Sequence, residues 1–187
     1  MTEEGLFKST HNAVVFALNQ QYGTYQRPMI NRMAYPSALG NGIGGYDAAA
    51  QAGMILAEIR TLGFIKEAIL IARVAPKRRP CDCGSRCCSK SYENKDWREA
   101  IFLINNYLRD IANMKNLTFQ LRDALIRKYF GSEEQQNKIA ERCFVHRDTV
   151  AIQYSKAVKE LTSLEKSAWR KIDECLIESG MIEASST

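Results

Sequence analysis

Residues 121–161 read LRDALIRKYFGSEEQQNKIAERCFVHRDTVAIQYSKAVKEL, and the spacing of apolar residues in this stretch decides the fold. Two short helical patterns meet at the segment CFVHR. Ala140 supplies the small residue that a first helix needs where a second crosses it, and Ile139, Val145 and Val150 fall at the offsets that wedge such a pair together. The pattern predicts a helix-turn-helix. Phe144 occupies the turn where many such units have glycine, and no Ser or Thr stands at the start of the second helix, expected between His146 and Thr149.

The second helix continues without a break. Val150, Tyr154, Ala157, Leu161, Leu164, Ala168, Ile172 and Cys175 recur at spacings of three and four, giving one apolar seam that reaches nearly to Gly180. The seam suits packing within one chain, which must cover its own apolar stripes, so a monomer is expected; a two-fold dimer over a palindrome is the alternative. The tail IEASST is expected to fray.

On the other face, near the start of this helix, lie Arg147, Asp148, Thr149, Ala151, Ile152, Gln153 and Lys156, with His146 just ahead of them as a further candidate DNA contact. A recognition helix enters the major groove with its N-terminus first, so Arg147, Thr149 and Gln153 are placed to reach bases or phosphates. Lys128, Lys138, Arg142 and Lys159 could contact phosphates around them. The alternative is a helical hairpin with a solvated charged face.

Outward from this unit the chain is helical throughout. Thr118 caps a helix with Leu121, Leu125 and Tyr129 on one stripe and Gly131 as its stop; NKDWREAIFLINNYLRDIANM carries Trp97, Ile101, Ile104, Leu108 and Ile111 on another. HNAVVFALNQQYG (11–23) ends at Gly23 and is followed by a turn-rich loop containing Pro28 and Pro36. Asp47 stands as N-cap of AAAQAGMILAEIRTLG, where Ala48, Ala49, Ala52 and Gly53 would let another backbone approach closely. FIKEAILIARV ends before Pro76. No segment alternates with a period of two, so the fold class is all-α: an N-terminal helical region (1–76), a Cys-rich basic loop (77–92) and the helix-turn-helix region with its long C-terminal helix (93–187).

The loop packs four of the six cysteines, Cys81, Cys83, Cys87 and Cys88, into eight residues behind Lys77, Arg78 and Arg79. Cys81 and Cys83 are too close to pair without strain, and no C-x-x-C redox motif is present. Zinc held by the four thiolates fits best, with a structural role and neighbouring cations easing deprotonation. The spacing C-x-C-x3-C-C is tight for one tetrahedral ion, so a ligand from elsewhere, among Cys143, Cys175, His11 and His146, is an open alternative. The other is a set of uncoordinated thiols in an irregular loop.

Net charge is +5 over 187 residues, concentrated at 60–98, with ten Lys or Arg against four acids; from 163 onward there are three against five. A basic middle suggests contact with a polyanion, although a solvated basic face would look the same. No apolar run reaches the length of a membrane span and the acidic start is no signal peptide, so a cytoplasmic location is expected. GNGIGG lacks the strand-to-helix context of a phosphate loop and no nucleophile–base set is legible, so no enzyme is expected.

Residues 121–161, with IAER before a helix opening in R-x-T-V, resemble region four of bacterial sigma factors. A wider likeness runs through STHNAVVFALNQQY, RPMINRMA, YDAAAQAGMILAEI and CDCGSRCCS followed by W-x-x-A-I. Together these resemble phage-encoded DNA-binding proteins of the Q-type antitermination kind. The resemblance implies a phage protein, acting in the bacterial host's cytoplasm, that binds double-stranded DNA near a late promoter. It further implies loading onto RNA polymerase, with the sigma factor as a possible contact, and readthrough of terminators. An activator or repressor acting at initiation, and a polymerase-binding adaptor that never grips DNA, are the alternatives.

Overall fold

The structure, a computed structural model, describes residues 7–23, 46–81, 83, 89–111 and 114–182. The loop holding Pro28 and Pro36, the pair Cys87 and Cys88, and the tail beyond Ile182 lie outside them. Among the described residues the fold is all-α except for one short ribbon. Its elements are α1 (Thr10–Gly23), α2 (Tyr46–Thr61), α3 (Phe64–Val74), β1 (Arg78–Pro80), β2 (Ser91–Glu93), α4 (Lys95–Ile111), α5 (Phe119–Tyr129), α6 (Gln136–Cys143) and α7 (Arg147–Glu178).

Contacts divide the chain into two compact units, one of residues 1–63 and 168–187, the other of residues 64–167. The division therefore falls at Gly63, before α3, instead of at residue 76. The reason is packing: α3 buries Ala68, Ile69, Leu70 and Ala72, and it pairs most extensively with α4. Trp97 fixes that pairing by donating its indole N–H to the Ala72 carbonyl at 3.1 Å.

In the first unit α1 buries Ala13, Val14, Ala17 and Leu18 and packs on α2. The buried edge of α2 is Ala48, Ala52, Ile55 and Ile59, a helical spacing of four, three and four. Ala49 and Gly53 are exposed, and a Cβ at Gly53 would meet nothing, so only half of the expected small-residue patch serves close packing. Asp47 lies inside the first turn of α2, one residue past its start, where a carboxylate still favours the positive helix end. At the far end of α7 the seam is Ala168, Ile172 and Leu176, with Cys175 only half-buried. Ile182 does not fray: it is buried and bridges to Phe7, whose N–H donates to Met181 O at 3.3 Å.

The second unit is a helical core of α3, α4, α5, α6 and residues 147–167 of α7. Trp97, Ile101, Ile104 and Leu108 are buried along α4 as the stripe requires. Thr118 caps α5 by accepting the Leu121 N–H at 3.3 Å. Behind the α4–α5 connection sits Arg122, 4% exposed. Its guanidinium donates to Asn105 Oδ1 at 3.0 Å and to the carbonyls of Met114 (3.1 Å) and Leu117, while the Asn105 amide donates to Phe119 O at 3.1 Å. Burial, followed by the charge of Arg109, pulls the Arg122 guanidinium below its ordinary value. A second cluster ties α3, α5 and α7 together: Arg73 donates to both Glu165 oxygens at 2.7 Å, and the Tyr129 hydroxyl donates to the same carboxylate at 2.6 Å. The bond to Glu165 raises Arg73, and burial, reinforced by Glu165, raises the Tyr129 phenol.

The ribbon is the element that periodicity did not reveal, because three-residue strands carry no readable alternation. Arg78, Arg79 and Pro80 pair antiparallel with Glu93, Tyr92 and Ser91, and Cys81 N–H donates to Lys90 O at 2.9 Å. The expected Cys-rich basic loop therefore begins and ends in a two-stranded antiparallel stem, with Cys81 and Cys83 following β1. Buried Asn94 fixes the base: its amide donates to Pro76 O, its N–H to Lys77 O, and its Oδ1 accepts from Asp96 N–H. Arg127 bridges Asp123 and Glu93 at 2.7 Å each and lies over the Trp97 ring, joining α5 and α4 to β2.

Candidate nucleic-acid interface

The helix-turn-helix is made by α6, the turn Phe144–Val145–His146 and the start of α7, all within the second unit. Apolar burial forms its hinge: Ile139, Ala140 and Cys143 on α6, and Val150, Ala157 and Leu161 on α7. Ile139 and Ala140 serve as the spacing predicted, whereas Val145 is only half-buried. Two cations position the approach to α6. Lys128 donates to Glu134 O at 2.9 Å, and Arg142 pairs with the Glu134 carboxylate at 2.7 Å.

The turn solves the missing-glycine problem directly. Phe144 adopts the left-handed conformation (φ 54°, ψ 43°). Its N–H donates to Glu141 O at 3.3 Å, and Val145 N–H donates to Ala140 O at 3.0 Å. This is the Schellman closure of a helix C-terminus, normally made by glycine. The missing Ser or Thr cap is also replaced: His146 Nδ1 accepts the Asp148 N–H at 3.3 Å, and His146 O accepts from Val150 N–H at 3.2 Å. A histidine acceptor is easily missed, since cap preferences favour oxygen side chains.

Of the expected contact residues, His146, Arg147, Asp148, Lys156, Lys138 and Arg142 are exposed, and Lys159 as well. Thr149 and Gln153 are half-buried, flanking the Val150 seam. The centre of the outward face holds the expected Asp148, Ile152 and Lys156 together with Ser155 and Lys159, and Ile152 is 56% exposed. At 100° per residue Gln153 lies closer to the buried seam than to this face. Lys128 is turned inward, its ammonium 5.8 Å from the Tyr154 ring centre, so it holds the α5–α6 connection. Charge across 133–159 is nearly balanced, five Lys or Arg against four acids.

Cys81 is half-buried and Cys83 exposed at the end of the ribbon. Among the described residues no three His, Cys, Asp or Glu side chains are grouped to hold a metal ion, and Cys87 and Cys88 lie outside them. The expected supplementary ligands are scattered over both units. Cys143 is buried behind the helix-turn-helix, and burial raises its thiol, the opposite of what thiolate ligation needs. Cys175 is on the last turns of α7, His11 stacks near Trp169 (5.4 Å between centres), and His146 caps α7.

No helix among the described residues is long and apolar enough to cross a membrane. Comparison with family models, with characterised proteins and with solved structures yields no match.

Proposed function

We propose that this protein is a phage transcription antitermination factor that binds double-stranded DNA near a late promoter and loads onto bacterial RNA polymerase. It works without catalysis of its own. The observation that carries the reading is the helix-turn-helix of α6 and α7, closed at its turn, capped at His146 and presenting exposed Arg147, Lys156 and Lys159. An uncovered first helical turn is what a recognition helix needs in order to enter a groove, and this supports the reading. The deciding experiment is multi-round transcription by purified bacterial polymerase on a template with the DNA flanking this gene, its nearest promoter and a downstream terminator. Readthrough rising at unchanged initiation supports antitermination. Altered transcript number with unchanged termination would make the protein an activator or repressor of initiation.

Arg147→Ala is expected to weaken duplex binding by about 1–3 kcal/mol if the side chain reads a base. Equal losses on specific and random duplexes, with a shallower salt dependence, would assign it to phosphate. The near-balance of charge on 133–159 favours one second reading, an adaptor that touches polymerase without gripping DNA. That reading stands if wild-type protein binds polymerase but shows no duplex binding at low salt.

Zinc belongs to the same proposal. Cys81 and Cys83 leave the ribbon at one end of the segment that also contains Cys87 and Cys88, and bound zinc would order this basic segment. Protein purified without added zinc is expected to hold about one ion per chain. Absence of metal, together with rapid alkylation of all four thiols in the folded protein, would remove zinc from the account.

A further inference from the structure

Among the described residues, helix C-termini close by the same motif three times. After α5, Gly131 (φ 87°) takes the left-handed position, and Gly131 and Ser132 N–H donate to Lys128 and Arg127 O. After α7, Gly180 (φ 70°) does so, with Gly180 and Met181 N–H donating to Ile177 and Leu176 O. After α6 the position is Phe144. A Cβ is disfavoured there, and an aromatic ring adds nothing to the closure. Nor does the ring contribute to the core, because Phe144 is 95% exposed, the most exposed of the large apolar residues described. Two unfavourable features therefore coincide on one side chain, and neither is needed for folding.

We propose that Phe144 is a docking anchor that inserts into an apolar pocket of a protein partner, and that this partner is the RNA polymerase of the proposed function, on which the inference rests. Protein is favoured over nucleic acid by the charges beside the ring. Residues 141–148 hold two acids, Glu141 and Asp148, and two arginines, Arg142 and Arg147, and Arg142 is matched by Glu134 at 2.7 Å. An apolar ring in a charge-balanced surround suits a desolvated protein pocket, where aromatic anchors contribute most. A phosphate backbone would instead call for an excess of cations around the ring. Phe144 precedes α7, whose Arg147, Lys156 and Lys159 remain available to DNA.

The test compares wild type with Phe144→Gly and Phe144→Asn, both residues that accept the left-handed conformation. Three quantities are measured: thermal midpoint, affinity for purified polymerase with and without sigma factor, and affinity for duplex carrying the DNA flanking the gene. The Phe144→Gly protein is expected to melt at the same temperature or about 2–4 °C higher, to bind polymerase at least tenfold more weakly, and to bind duplex as wild type does. Polymerase binding that survives both substitutions overturns the inference, as does a loss confined to duplex, which would make Phe144 a DNA contact. Wild type that binds duplex but not polymerase also overturns it while leaving the DNA reading intact. Wild type that binds neither removes both.

Discussion

Replacing Arg122 with methionine is expected to lower the stability of the second unit by about 3 kcal/mol. Methionine fills similar space but donates nothing. Asn105 Oδ1 and the carbonyls of Met114 and Leu117 would lose their donor in a buried setting. Among the described residues the guanidinium's acceptors are neutral oxygens, so the loss is that of several charge-assisted bonds. The measurement has a built-in locator, because Trp97 lies in the second unit and Trp169 in the first. Melting followed by Trp97 in a Trp169→Phe background should shift down by about 12–24 °C. A shift under about 2 °C would mean that water replaces the guanidinium at little cost.

Ile139→Ala is expected to cost about 2–4 kcal/mol, since the side chain is fully buried where α6 meets α7. The loss should be local. α6 has only 8 residues, too few to persist without its packed face. Hydrogen exchange at the amides of α6 should then accelerate while those of α3 and α4 keep their protection, and duplex binding should disappear. Equal acceleration across the unit would show that α6 opens only with global unfolding.

The parts of this fold that were legible in the sequence are those where burial follows the helical period. The α4 stripe, the Thr118 cap and the Ile139–Ala140 hinge follow from spacing, as does the α7 seam at Val150, Ala157, Leu161, Ala168 and Ile172, whereas Tyr154, Leu164 and Cys175 are half-buried and Leu176 is buried beside them. Features held by backbone conformation or by polar contacts distant in sequence were not legible. The ribbon rests on Asn94 and Arg127 reaching 18 and 34 residues away, and three-residue strands have no periodicity to announce them. Phe144 in a glycine position contradicts local propensity outright. Gln153 is half-buried, nearer the seam than the centre of the outward face, a difference of about one helical step that spacing alone does not resolve. The metal proposal stands on composition, with two of its four thiols inside the described residues.

The stem of the ribbon has a consequence for how the cysteine segment can be altered. Because Cys81 N–H meets Lys90 O and the stem is fastened through Asn94 and Glu93, the two chain ends of that segment are held together by the fold itself. The entropy of bringing those two ends together is thus lost when the helical core forms, with or without an ion. The segment is in that sense a cartridge on a fixed mount. Its length and residues should be exchangeable, by evolution or by design, with little effect on the helices that carry it.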